Sequence, residues 1–145
     1  MRQFIILVLV CSLICTDSII AQTAVDYYNR GIAKDEANDF NGAIKEYPKA
    51  IELNSKHINA YYNRGLAKEA LTDYKGAIRD FNKVIELNPN EQGAYFHLGF
   101  SKFNLKDYKG AIENYTIAIK LDPNDADAYV NRGKAKLLLG HKNDA

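Results

Sequence analysis

The sequence predicts an all-α solenoid of stacked antiparallel helix pairs, and three observations carry that reading. Residue ladders recur every 34 positions: Tyr27, Tyr61, Tyr95 and Tyr129; Gly31, Gly65, Gly99 and Gly133; Ala43, Ala77, Ala111 and Ala145. Within one period the apolar residues Tyr74, Ala77, Ile78, Phe81, Val84 and Ile85 fall at helical spacing, one stripe on one helix. Polar breaks, Asn88-Pro89-Asn90 and Asp122-Pro123-Asn124, separate successive units. A period in the range of about 20 to 50 residues marks supersecondary units that bury their apolar faces only by stacking on one another.

The composition fits that class. Of 145 residues, 47% are hydrophobic and 26% charged, with 19 Lys and Arg against 18 Asp and Glu. A net charge of +1 supplies no electrostatic footprint for nucleic acid or an anionic membrane surface, and the apolar content excludes a disordered tail.

Residues 1–21 differ from the rest and read as a secretory signal peptide. Arg2 precedes an apolar run from Phe4 to Cys15 broken only by Ser12. That run is shorter than the roughly 18 to 20 residues of a transmembrane helix, and Thr16-Asp17-Ser18 interrupts it. Cleavage after Ala21 would leave Gln22 as the first residue, remove both cysteines, Cys11 and Cys15, and place the chain in the periplasm or outside the cell. Contact with a membrane is expected only through this segment if it is retained. Val10 and Ile14 stand before the cysteines where a lipoprotein signal needs a small residue.

Residues 22–145 form the repeat domain, with units 24–57, 58–91, 92–125 and a partial unit from 126. In the first, Pro48 falls near the middle of the second helix, where Asn82 and Thr116 stand in the later units; a kink is expected, at a cost of about 3 kcal/mol in a regular helix. In the second, the first helix runs from about Ile58 to Leu71, Thr72-Asp73 makes the turn, and Asp73 caps the second helix. Gly65 costs about 1 kcal/mol in a helix interior relative to Ala, so its recurrence implies a close helix approach. The fourth unit stops at Ala145, leaving the side of its helix bearing Leu137, Leu138 and Leu139 without cover. That reads as a piece of a longer product, or else as an open face that binds, self-association included.

These residues resemble the tetratricopeptide repeat, a helix pair with an aromatic, Gly, Ala, aromatic, Ala and Pro at set positions; Tyr95, Gly99, Ala111, Tyr115, Ala118 and Pro123 hold them in the third unit. The resemblance implies a right-handed superhelix acting as a non-catalytic scaffold, with an extended peptide or protein segment held in a concave groove. It places the fifth, sixth and ninth residues of each unit in that groove: Tyr28, Asn29 and Ile32; Tyr62, Asn63 and Leu66; Phe96, His97 and Phe100; Val130, Asn131 and Lys134. Some relatives clamp acidic chaperone C-termini with two Lys, two Asn and an Arg. The matching positions here are Tyr28, Ile32, Asn63, Gly93 and His97, of which Asn63 alone agrees, so that activity is not expected. The alternative function is an N-terminal targeting region of a longer exported enzyme or signalling protein.

No catalytic motif occurs, no cofactor is implied, and His57, His97 and His141, on different units, read as exposed histidines with no shared metal. Asn114-Tyr115-Thr116 fits the glycosylation pattern but lies within a predicted helix and is assigned no role. Lys34, Lys68, Lys102 and Lys136, with Arg30, Arg64 and Arg132, could be drawn as a phosphate-tracking stripe. Sixteen residues after Arg30 and Arg64 come Glu46 and Asp80, however, and where Leu98 replaces Arg, Asn114 replaces the acid. Joint loss of both charges points to an ion pair within each unit and away from nucleic acid.

Overall fold

The computed structural model describes the backbone of residues 23–143 and the side chains of residues 23–140. Residues 1–21, the segment expected to be a signal peptide, with its cysteines, Gln22, the His141 side chain and Asp144-Ala145 lie outside the described residues. Among the described residues seven helices follow one another: α1 (23–36), α2 (Phe40–Leu53), α3 (Ile58–Ala70), α4 (Tyr74–Leu87), α5 (Gln92–Asn104), α6 (Tyr108–Leu121) and α7 (Ala126–Asn143). From α2 onward each packs on the next, and α5 also touches α3 and α7, so the first helices of neighbouring units form a layer of their own. Among the described residues there is no strand, and no helix is long and apolar enough to cross a membrane.

Each pair is locked by one large ring against one glycine. Tyr47, Phe81 and Tyr115 are fully buried. A Cβ on Gly31, Gly65 or Gly99 would come within 2.4 Å, 2.8 Å and 2.9 Å of those rings respectively, which accounts for the glycine that the sequence places at a costly helix-interior position. Among the described residues, Gly133 on α7 has nothing within 4 Å.

The turn inside each pair is made the same way three times. Asp39, Asp73 and Asp107 cap α2, α4 and α6 by accepting from the amides of Gly42, Gly76 and Gly110 at 2.9, 2.9 and 3.0 Å. Just before each cap, Asn38, Thr72 and Lys106 have φ of 57°, 60° and 64°. In the second unit Thr72 N donates to Glu69 O and Asp73 N to Lys68 O, both at 2.8 Å, the two bonds of a Schellman motif that satisfy the last carbonyls of α3. The breaks between pairs use short polar turns: the Oδ1 atoms of Asn54, Asn88 and Asp122 accept from Lys56, Asn90 and Asn124 at 3.0, 3.2 and 3.0 Å.

Pro48 lies inside α2, which at 14 residues matches α4 and α6 in length and keeps Ala43, Tyr47 and Ala50 buried. The proline therefore does not end the helix.

Candidate peptide-binding groove

The first-helix layer gathers aromatic residues from successive units. Tyr28 on α1 leans on Tyr47 and His57, with ring centroids 6.0 and 4.7 Å away, and its hydroxyl accepts from Asn63 Nδ2 at 3.2 Å. Tyr62 on α3 meets Phe81 and His97 edge-on at 5.7 and 5.8 Å. His97 on α5 stacks on Phe81 at 5.3 Å and receives the edge of Phe96 at 5.3 Å. A shallow pocket of about 250 Å³ opens here, lined by Tyr62, Gln92, Gly93, Phe96, His97, Asp125 and Asp127.

Of the residues assigned to the groove from sequence, Tyr62, Phe96 and His97 meet in that pocket. Tyr28 and Asn63 are joined to each other beside it. Asn29 is exposed and Ile32 half-buried on α1, while Leu66 packs against the core between the second and third units. Phe100 meets the ring of Tyr74 at 6.4 Å, and Asn131 is half-buried on α7 with Val130 and Lys134 exposed. Sequence reasoning missed Gln92, Asp125 and Asp127. Asp125 accepts from Gln92 Nε2 and, at 2.9 Å, from the Ala128 amide near the start of α7. Gly93 is needed at the pocket wall, since a Cβ there would fall 2.5 Å from the Tyr62 hydroxyl.

Burial is the leading influence on the titratable groups around these residues. Burial raises the Tyr62 hydroxyl pKa, and the carboxylates of Glu91 and Glu69 raise it further. Burial likewise raises Tyr28, against the lowering bond from Asn63. Asp35, which accepts from the Tyr47 hydroxyl, is raised by burial.

Two of the three histidines correct the expectation of exposed side chains. His57 is half-buried as the N-cap of α3, its Nδ1 accepting from the Ala60 amide at 3.3 Å, and burial lowers its pKa. His97 is half-buried, with Nδ1 2.8 Å from Glu69 Oε2, whose other oxygen accepts from Ser101 Oγ at 2.5 Å. Among the described residues, no group of three or more His, Cys, Asp or Glu side chains is arranged to hold a metal.

The intra-unit ion pair holds in the second unit. Arg64 donates to Asp80 through Nε at 3.0 Å and Nη2 at 2.5 Å, and Lys68 adds a third contact at 2.7 Å, all to a carboxylate whose side chain is 3% exposed. In the third unit Leu98 is buried and Asn114 donates to Gly110 O at 2.6 Å. The first unit departs from expectation: Glu46 pairs with Lys49 at 2.7 Å, and Arg30 lies 5.0 Å above the Tyr27 ring. Arg64 and Arg132 hold the same position over Tyr61 and Tyr129, at 5.4 and 5.3 Å. This ring contact, one helical turn away, is a Tyr-x-x-Arg pattern that the sequence contains and the ladder reading passed over.

Comparison with known proteins agrees with this architecture. A family model described as TPR repeat matches residues 36–72 and 102–140, and one described as tetratricopeptide repeat matches 58–91. No curated protein sequence matches significantly. Among solved structures, the TPR domain of Arabidopsis OM64 is similar with a TM-score of 0.78 and 25% identity, over 81% of this chain and 97% of that one. The TPR2B domain of yeast Sti1, solved as a complex with pHsp70, has a TM-score of 0.75 and 26% identity over 81% and 98%. The first TPR of Spaghetti (RPAP3), bound to the HSP90 peptide SRMEEVD, has a TM-score of 0.80 at 24% identity over 83% and 95%, a likeness of fold.

Proposed function

The chain belongs to the tetratricopeptide repeat family, and on that premise we propose that it is an exported, non-catalytic scaffold that holds an extended segment of a partner protein along its first-helix layer. The observation that carries this reading is the pocket in which Tyr62, Phe96 and His97, from two neighbouring units, meet the first turn of α7. Half-buried aromatic side chains with few rotamers provide contact area at low entropic cost, and the amides of Asn29, Asn63 and Asn131 have the donors and acceptors that a peptide backbone requires. The yeast Sti1 domain, solved with pHsp70, lends support to a peptide ligand in this fold. Export rests on the apolar run Phe4 to Cys15.

A photo-crosslinking residue at position 96 tests the groove in the native source, with position 109 on α6, exposed and remote from the pocket, as control. The expected result is an adduct from position 96 that Tyr62→Ala diminishes and none from position 109. Equal adducts from both, or an adduct from 109 alone, would refute the groove. Intact mass from the same source tests export: loss of residues 1–21 is expected, and an unprocessed N-terminus would count against it.

A further inference from the structure

The pocket has a sign as well as a shape. Its walls present the rings of Tyr62, Phe96 and His97 together with the carboxylates of Asp125 and Asp127, and no Lys or Arg lines it. Asp127 is exposed at the rim and, among the described residues, has no hydrogen bond or ion pair. Glu91, the N-cap of α5, makes no side-chain cap bond; its Oε2 accepts from Asn88 Nδ2 at 3.1 Å, and its charge acts on the Tyr62 hydroxyl of the pocket wall. Two helix N-termini, of α5 and α7, also meet at this place, and each contributes about half a positive charge. Three carboxylates outweigh them, leaving a negative balance of about two charges before any ligand arrives. Burial is the main cause of the raised Tyr62 hydroxyl pKa, with Glu91 and Glu69 adding to it.

We propose that this pocket receives a cationic side chain, a lysine or arginine of the bound segment, with the charged group near Asp127 and its aliphatic stem against Tyr62 and Phe96. The proposal deepens the groove reading and rests on it. Aromatic faces attract a cation through their quadrupole, and a neighbouring carboxylate adds to that attraction where the site is partly desolvated. An acidic segment would meet repulsion from Asp127, Asp125 and Glu91 at the same place, so the chemistry also selects against it. Gly93 matters to the shape: any side chain there would strike the Tyr62 hydroxyl and displace the ring that forms the wall.

The test titrates the isotope-labelled full chain with three blocked peptides, alternating Gly with Lys, with Gln or with Glu, at low ionic strength, and follows backbone amide shifts. The Lys peptide is expected to bind most tightly, to move the signals of Gly93, Phe96 and Asp127, and to weaken as salt is raised. Asp127→Asn should weaken the Lys peptide about threefold to fivefold, as for an exposed charge pair, and leave the Gln peptide unchanged. Preference for the Glu peptide, or equal binding of Lys and Gln peptides, would overturn the cationic pocket and leave the groove standing. Lys-peptide shifts confined to residues outside the pocket would overturn it too. If no peptide moves any groove signal the inference falls, and the groove is then judged by the crosslink at position 96.

Discussion

Asp80 is the acid on which two cations of the second unit converge, and its removal can be worked out from the third unit, where the chain solves the same packing problem without charge. Arg64→Leu deletes the bidentate contact but leaves Asp80 bonded to Lys68 at 2.7 Å. Charge-assisted hydrogen bonds are each worth about 1.5 to 3 kcal/mol. Arg64 is 18% exposed and the new Leu gains burial as Leu98 does, so a net loss of about 2 kcal/mol is expected. Asp80→Asn leaves Arg64 and Lys68 facing a neutral group inside the pair. Breaking a buried ion pair from one side costs about 3 to 5 kcal/mol, and the lower end applies because both cations can extend toward water. The double variant recreates Leu98 with Asn114, whose amide donates to the Gly110 carbonyl at 2.6 Å, and should lose about 3 kcal/mol where independent effects would sum to about 5. Urea unfolding of all four proteins, followed by far-ultraviolet circular dichroism, reads the coupling from the midpoints at constant slope. Additivity within about 0.5 kcal/mol would refute the argument that the two units are alternative solutions of one contact.

Gly65→Ala should destabilise by about 1 to 2 kcal/mol, because its Cβ would sit 2.8 Å from the Phe81 ring and overpacking exceeds the gain in helix propensity; Gly133→Ala, with no described residue within 4 Å, should stabilise by about 0.5 to 1 kcal/mol. Urea midpoints of the same sign for both would contradict this. Thr72→Gly should raise the thermal midpoint by relieving a β-branched residue at φ 60°, a conformation that costs about 1 to 2 kcal/mol; an unchanged midpoint would mean that the turn carries no strain. Burial lowers the pKa of His57 in the fold, so folding favours the neutral ring: its contribution is complete above the unfolded value near 6.5 and is lost as pH falls through the lower folded value. His57→Asn keeps a cap acceptor and should flatten the decline in stability between about pH 7 and 5 relative to the parent, as read by urea midpoints; parallel profiles would remove His57 from that role. Pro48→Asn should raise the unfolding midpoint, since the ring removes a helix hydrogen bond within α2, and no change would show that the helix absorbs the loss.

Most of the fold was legible because its determinants are short-range and repeated. Asp73 as a cap, Gly65 as a close approach and Arg64 with Asp80 are each fixed by spacing inside one unit. The Arg30 pairing failed: Glu46 pairs with Lys49 at 2.7 Å and Arg30 lies over the Tyr27 ring. The second unit holds the same alternatives, Lys83 one turn from Asp80 and Tyr61 beneath Arg64, and still forms the pair, so neither competitor explains the difference. The positive-φ positions share no residue type, being Asn38, Thr72 and Lys106, so composition carried no signal for them. His57 was read as exposed because it shares no unit with another histidine, and only the Ala60 amide beside its Nδ1 reveals the cap.

The pocket was harder to read, since a period identifies which residues are equivalent and says nothing of what they touch in the next unit. Shifted back by one period, its residues Gln92, Gly93 and His97 become Ile58, Asn59 and Asn63. At that earlier position Asn63 donates to the Tyr28 hydroxyl at 3.2 Å, so the ring is tied within the chain. At the later one, histidine in place of Asn63 turns to Glu69, and glycine in place of Asn59 lets the Tyr62 hydroxyl approach α5. The acid Asp127 takes the place that Gly93 holds one unit before. The repeat builds the wall, and the substitutions that break it at His97, Gly93 and Asp127 open the wall and set its charge. In a solenoid the departures from the ladder are therefore residues to search for specificity, and in this chain Gly93, His97 and Asp127 meet in one pocket while Pro48, Leu98 and Asn114 lie elsewhere.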